Sequence, residues 1–148
     1  MTTNAEVMIK KGFLDKESLK KYITEFFKPE NEILITEQKY NVVQYRNFCS
    51  EGMIIYFEEK VEDAYHSNRE SEILGDDFRY TQEIGIEFNS DIPDVDQYFR
   101  AIKFCKYLKA KTEDDILLAS DILDEICLFH EDKITFTGRA LEQLIGDK

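Results

Sequence analysis

The sequence has little of the material from which catalytic, metal and membrane sites are usually built. Tryptophan is absent, only two histidines occur, and the six glycines stand apart from one another, so no glycine-rich loop can cradle a phosphate. No apolar run approaches the length needed to span a membrane. No motif marks catalytic residues, a cofactor or a metal ion. The composition therefore favours binding over chemistry.

Cysteine usage and overall acidity indicate the cellular compartment and the kind of partner to expect. Cys49, Cys105 and Cys127 are odd in number and widely spaced, which is typical of reduced thiols buried as small hydrophobes. Residues 1–13 lack the apolar segment of a signal peptide, so we expect a cytoplasmic protein without membrane contact. A pI near 4.6 argues against nucleic-acid binding, which requires a cationic surface to contact phosphates.

Charge is distributed along the chain in blocks. Residues 1–47 carry seven acids against eight bases, whereas residues 48–96 carry fourteen acids against three bases. Five bases without an acid follow between Arg100 and Lys111, and residues 113–132 then hold eight acids and no base. A folded domain whose net charge of −12 is arranged this unevenly repels polyanions and steers cationic partners toward itself.

The apolar pattern predicts one domain of 148 residues with an α+β fold. Apolar residues at three- and four-residue steps predict helices over 18–28 and 95–110, and Thr137 is expected to cap a third, short helix. Alternating or continuous apolar runs predict strands over 32–36, 40–45, 53–57, 80–88, 115–119, 125–129 and 133–136. We therefore expect a mostly antiparallel sheet with two to three helices packed on it.

Two regions carry more specific expectations. Asp94 is expected to cap the 95–110 helix, whose apolar stripe is Val95, Tyr98, Phe99, Ile102, Cys105 and Leu108. Phe104 and Tyr107 fall outside that stripe, and we expect another element to cover them. Residues 58–77 are acidic and poor in large apolar groups, so we expect an exposed connection there.

The acids of residues 113–132 are expected to lie around the ends of neighbouring strands, where they would attract a basic partner protein. The 58–77 connection would add to that field, and aromatic side chains in or beside acid-rich sequence would supply short-range contact energy. The predicted partner-binding residues are Asp114, Asp115, Asp121, Asp124, Glu125, Tyr56, Tyr65, Asp76, Asp77, Phe78 and Tyr80. Solubility alone is the competing explanation for so much negative charge.

The last third of the chain carries a resemblance. A helix containing residues 98–108 leads to the apolar run that follows Asp114, and the strand pair over 126–129 and 134–136 comes after a polar stretch. In this order, and in its acidity, the chain resembles the small, cytoplasmic immunity proteins that accompany bacterial polymorphic and contact-dependent toxins. The resemblance implies a stoichiometric inhibitor that occludes the active site of a cognate toxin. The bases between Arg100 and Lys111 depart from a uniformly acidic inhibitor.

Two other classes of function stay open at the level of sequence. A small hydrolase or transferase could use two carboxylates in a cleft, and a pocket that holds two acids with raised pKa values would favour it. An oligomeric adaptor or scaffold could associate with itself through Phe104 and Tyr107 if those side chains were exposed.

Overall fold

The computed structural model describes residues 4–12, 14–37, 42–58 and 67–144. The strands in these residues are β1 (Ala5–Ile9), β2 (Leu34–Glu37), β3 (Val42–Arg46), β4 (Ile54–Glu58), β5 (Ser67–Ser71), β6 (Asp76–Tyr80), β7 (Gln82–Glu87), β8 (Ile116–Ser120), β9 (Asp124–His130) and β10 (Lys133–Phe136). The helices are α1 (Lys16–Phe27), α2 (Asp94–Thr112) and α3 (Gly138–Leu144). The predicted α+β class and mostly antiparallel sheet are confirmed.

Eight strands form one sheet in the order β10-β9-β8-β1-β7-β4-β3-β2, and every pairing in it is antiparallel. The sequence analysis missed β1, which lies at the centre between β7 and β8. Ala5, Val7, Met8 and Ile9 are all buried, because both faces of the sheet are covered at this strand. A strand that is buried on both faces lacks the alternating polar side by which a half-buried strand is recognised.

The three helices contribute to a large core with one face of the sheet. In α1, Leu19, Ile23 and Phe27 recur every four residues and are buried. The Asp15 carboxylate caps this helix by accepting a 2.7 Å hydrogen bond from the Ser18 N–H, and that bond lowers the pKa of Asp15. The helix ends at Lys28, which is in the left-handed conformation and is followed by proline.

The start of α2 differs from the prediction. Pro93, not Asp94, occupies the cap position, and Asp94 is the first helical residue. Gln97 is buried, where its side chain accepts a bond from the Asn89 N–H at 2.8 Å and donates to the Asn89 carbonyl at 2.9 Å. Gln97 therefore stabilises the connection between β7 and α2. The predicted stripe is wrong at Val95 and Phe99, which are exposed.

Of the two aromatic side chains outside that stripe, Phe104 is covered by α1, as predicted, and Tyr107 is partly covered by it. The Phe104 ring is fully buried and lies 5.3 Å from the rings of Phe26 and Phe27, measured between centroids. The Tyr107 hydroxyl donates a 2.6 Å hydrogen bond to Glu25, and burial together with this bond raises the pKa of Tyr107 to about 12. The Phe104 ring is therefore not available for self-association, whereas part of Tyr107 stays on the surface.

In the part of 58–77 that the structure describes, Glu70, Glu72 and residues 74–77 are exposed, but residues 67–71 and 76–77 lie in strands rather than in an irregular connection. Strands β5 and β6 form a hairpin that packs on the face of the sheet opposite the helices. Phe78 on β6 is buried there against a small second core made by Met8, Leu117, Ala119 and Leu128. Apolar residues are too few here for an alternating pattern to predict this packing. On β6, only Phe78 and Tyr80 alternate with polar residues.

The thiols agree with their predicted role as small hydrophobes. Cys105 and Cys127 are buried and free, and Cys49 is partly buried and free. Burial raises the pKa of Cys127 to about 12, and it also raises those of Cys105 and Cys49. Since the thiolate is the reactive form, these cysteines are poor nucleophiles at neutral pH.

Candidate functional site

Two turns meet at one end of the sheet, and a buried carboxylate holds them together. Glu125, at the start of β9, is only 2% exposed. It accepts hydrogen bonds from the Ser71 hydroxyl, from the Glu72 N–H at 2.7 Å and from the Ile73 N–H at 3.4 Å. The turn over 72–75 of the β5–β6 hairpin is thereby fixed beside the turn over 121–123 that joins β8 to β9.

Two arginines reinforce this junction. The Arg69 guanidinium makes an ion pair with Asp124. The Arg139 Nε donates to the Leu123 carbonyl at 2.8 Å, and its Nη2 lies 3.7 Å from the Glu72 carboxylate. Because strand, hairpin and helix α3 all contribute, the junction is built from parts that are far apart in sequence.

We call the exposed acids around this junction the acidic end. Its members are Glu70, Glu72, Asp76, Asp77, Asp121 and Asp124. Glu70 and Asp77 are directly opposite each other in the β5–β6 pairing, and like charges in that position destabilise a sheet by up to about 1 kcal/mol. The acidic end therefore carries a charge arrangement that does not favour the fold.

Apolar side chains project from both turns of the acidic end. Ile122 is 69% exposed and Leu74 is 47% exposed, which makes Ile122 the most exposed large hydrophobic side chain in the described residues. Protein interfaces commonly combine a few apolar anchors with a charged rim, and the anchors supply most of the energy. Ile122 and Leu74, on adjoining turns that also carry exposed acids, match that arrangement.

The predicted partner-binding acids do not form a single patch. Asp121, Asp124 and Glu125 follow β8, whereas Asp114 and Asp115 precede it, about 17 Å away for five residues of strand. Among them, Asp121 and Asp124 are exposed at the acidic end, as are Asp76 and Asp77 from the hairpin.

Asp114 and Asp115 serve the fold at the other end of β8. Asp114 is buried and accepts hydrogen bonds from the N–H groups of Lys11 at 2.9 Å and Gly12 at 3.0 Å. Asp115 lies 2.8 Å from the His130 Nδ1 and 3.6 Å from the Lys109 Nζ. Both carboxylates are therefore occupied inside the molecule.

The predicted aromatic anchors are mostly internal. The Tyr56 hydroxyl is buried, accepts from Gln44 at 3.1 Å and donates to Glu87 at 3.3 Å. Phe78 is buried beneath the hairpin, and Tyr80 is half-buried with its ring stacked 6.3 Å from that of Phe78. Tyr65 lies outside the described residues.

A pair of carboxyl groups lies on the same face of the sheet as the hairpin. Glu6 on β1 is opposite Gly85, and Glu83, two residues before Gly85, is opposite Met8. Glu83 itself is exposed. Desolvation, followed by the charge of Glu6 and a hydrogen bond with it, raises the pKa of Glu83 to about 7.

Two cavities lie elsewhere in the molecule. One of about 500 Å³ lies between α2 and the β9–β10 hairpin, with Lys106, Phe129 and Lys133 in its wall. Another of about 530 Å³ lies at the end of α1 beside Cys49 and Arg100. Glu6 and Glu83 line neither cavity. In the described ranges, histidine, cysteine and carboxylate side chains do not come together in threes as a metal ion would require.

Sequence reasoning missed the exposed apolar residues at this junction. Leu74 was hidden in the segment taken as a connection, and Ile122 stood beside the buried Leu123 in a short polar turn. One signal for Ile122 was present in the sequence. This residue lies between Asp121 and Asp124 in a short acidic stretch, where a turn would usually contain few apolar residues. Nothing in the sequence indicated that Glu125 would be buried and would hold the two turns together.

Comparisons with known proteins give no match, whether against protein-family models, curated proteins or solved structures. For the part of the chain that the structure describes, no helix is both long and apolar enough to cross a membrane.

Proposed function

We propose that this protein is a non-enzymatic, cytoplasmic protein-binding inhibitor that acts as an immunity protein toward a cognate bacterial toxin. The acidic end would contact a basic surface of the toxin and occlude its active site. The observation that carries the proposal is that the exposed Ile122 and Leu74 lie among exposed acids, on two turns that Glu125 holds together.

The geometry suits tight and fast association. Unpaired surface acids steer a cationic partner and mainly raise the association rate, whereas buried apolar anchors mainly slow dissociation. Since Glu125 and two arginines already order both turns, little conformational freedom is lost on binding. A stoichiometric inhibitor requires this combination.

The test is capture of a partner from lysate of the source organism with two charge-matched variants. One carries Asp77→Lys and Asp121→Lys at the acidic end, and the control carries Glu17→Lys and Glu30→Lys, which are exposed acids around α1. Both variants change the net charge equally. We expect one partner with a toxin-like domain, bound one-to-one and inhibited, whose association slows at least about tenfold with the first variant only.

Equal slowing by both variants would show that overall charge, not the acidic end, drives association. A partner that is bound but not inhibited would refute the proposal that this protein is an inhibitor. Ile122→Ala with Leu74→Ala provides a further arm that leaves the charge untouched, and we expect faster dissociation with little change in the association rate.

A carboxylate-using hydrolase or transferase is the second candidate, and the Glu6–Glu83 pair is the observation in its favour. A carboxyl group whose pKa is raised to about 7 is well matched to general acid–base work near neutral pH. If this candidate holds, a screen of ester, glycoside and phosphate substrates gives a turnover that Glu83→Gln abolishes and Glu131→Gln, an exposed control, leaves intact.

A further inference from the structure

The cavity at the end of α1 has an arginine in its wall. Arg100, on α2, lines it together with Phe27 at the end of α1 and Phe48 in the connection from β3 to β4. The centre of the guanidinium lies 4.9 Å from the centroid of the Phe27 ring and 5.5 Å from that of Phe26. Contact with two rings holds the guanidinium in place without using its hydrogen-bond donors.

The donors of Arg100 are not satisfied within the molecule. Its Nε is buried, and in the described residues no nitrogen of the guanidinium makes a hydrogen bond. The Glu51 Oε1 lies 3.5 Å from Nε, and the Ser50 hydroxyl holds that carboxylate through a 3.1 Å bond to its other oxygen. The Arg100 side chain is still 35% exposed. It is therefore a fixed, accessible cation with donors to spare.

Other polar groups in the wall of this cavity are also uncommitted. Asn31 and Asn47 line it, and neither carboxamide makes a hydrogen bond in the part of the chain that the structure describes. Lys28 adds an ammonium group, and Glu30 adds a carboxylate. Two cations against one carboxylate in the lining favour a ligand with a single negative charge.

We propose that this cavity binds an organic carboxylate, which the Arg100 guanidinium holds through two parallel hydrogen bonds. A planar guanidinium matches both oxygens of a carboxylate. The amides of Asn31 and Asn47 both donate and accept, so they bind hydroxyl or amide groups on the rest of the ligand. The volume of about 530 Å³ suits a small molecule. This site does not involve the acidic end and does not rest on toxin inhibition.

The first experiment titrates the protein with lactate, which carries one carboxylate and one hydroxyl group. NMR follows the Arg100 Nε–Hε signal and the side-chain amide signals of Asn31 and Asn47. We expect all of them to shift along one saturating curve. Inorganic phosphate at the same ionic strength should bind at least about twofold more weakly, because its second charge is repelled by Glu30, by Glu51 and by the net charge of −12.

Three variants test the role of the guanidinium. Arg100→Lys keeps the charge but loses the planar fork, so we expect the dissociation constant for lactate to rise at least about tenfold. Glu51→Gln removes the neighbouring carboxylate and should tighten binding about twofold. Lys103→Gln is the control, since Lys103 is exposed on α2 outside the lining, and it should leave binding within about twofold of the wild type.

The reverse pattern overturns the site. Signals that do not shift or do not saturate, or an Arg100→Lys variant that binds like the wild type, show that the guanidinium does not hold a carboxylate. A Lys103→Gln variant that is weakened as much as Arg100→Lys shows that general positive charge is responsible. Phosphate that binds as tightly as lactate overturns the assignment to carboxylates.

A small acid and the C-terminus of a peptide both supply a carboxylate, and trialanine distinguishes these sources. If trialanine binds more tightly than lactate and its C-terminal amide does not bind, the ligand is the end of a peptide chain. If lactate binds more tightly, the ligand is a small acid. Equal binding of trialanine and its amide contradicts recognition through the carboxylate.

Discussion

The face of the sheet that carries the helices and the face that carries the hairpin differ in what their charged groups contact. On the helix side, three of the five bases of α2 are engaged within the molecule. The Lys109 Nζ lies 3.6 Å from Asp115, the Arg100 guanidinium lies 4.9 Å from the centre of the Phe27 ring, and the Lys111 Nζ lies 5.4 Å from that of Tyr107. These cations help to cover the aromatic core.

On the hairpin side, the charged groups are divided between two roles. Glu125 and the ion pairs that Asp124 and Glu72 make with arginines join the two turns, whereas Glu70 and Asp77 face each other on the surface. The cations of α2 thus cover aromatic rings, while the charges of the hairpin side link turns or remain exposed to a partner.

The largest expected effect separates the two cores. Phe104→Ala removes a fully buried ring between α1 and α2, and we expect the free energy of unfolding to fall by about 4 kcal/mol. Phe78→Ala removes a ring from the small core, with an expected loss of about 3 kcal/mol. Urea denaturation measures both losses.

Amide hydrogen exchange sharpens this contrast. We expect Phe104→Ala to speed exchange throughout the eight-stranded sheet, and Phe78→Ala to speed it mainly in β5 and β6. If Phe78→Ala accelerates exchange in β3 and β4 to the same extent, the hairpin and the main core unfold as one unit and the distinction between the two faces fails.

Glu125→Gln is expected to have a smaller effect. The amide keeps the shape and one acceptor oxygen but weakens bonds to the Ser71 hydroxyl and the Glu72 N–H, so we expect a loss of about 2 kcal/mol. The comparison is Glu131→Gln, whose side chain is 79% exposed and which should be neutral. Equal stability of the two variants in urea would show that Glu125 does not hold the hairpin.

The smallest effect concerns pH. Because folding raises the pKa of Glu83 from 4.5 to about 7, the folded protein holds this proton more tightly than the unfolded chain does. The resulting stability is fully present below pH 4.5 and is lost as the pH rises through 7. Glu83→Gln should remove this loss, by less than about 1 kcal/mol because water screens the site. Thermal melts at pH 4.5 and above pH 7 measure this loss of stability. A loss in the wild type that persists in Glu83→Gln contradicts the prediction.

The parts of the fold that the sequence reveals are those whose pattern is local. Strand β7 was recognisable because Ile84 and Ile86 alternate with polar residues, and α3 because Thr137 accepts from the Ala140 N–H as a cap does. Strand β1 was not predicted because its burial depends on partner strands that lie elsewhere in the chain. The exposure of Val95 and Phe99 was hidden because an apolar stripe does not say where the covering element ends.

The candidate site was harder to predict than the fold. Four of the predicted acids are exposed there, because acid-rich turns are usually on the surface. Asp114 and Glu125 look no different in sequence, yet both are buried as acceptors for backbone N–H groups. Their roles depend on donors that are 103 and 53 residues away, at Lys11 and Glu72.

The central position of β1 has a consequence for synthesis of the protein. During synthesis, β1 leaves the ribosome more than one hundred residues before its partner β8. Contacts over such separations close slowly, and until then the edge of β1 that pairs with β8 is open. A newly made chain therefore cannot join the two halves of its sheet before β8 emerges, and chaperone demand should be highest just before that point.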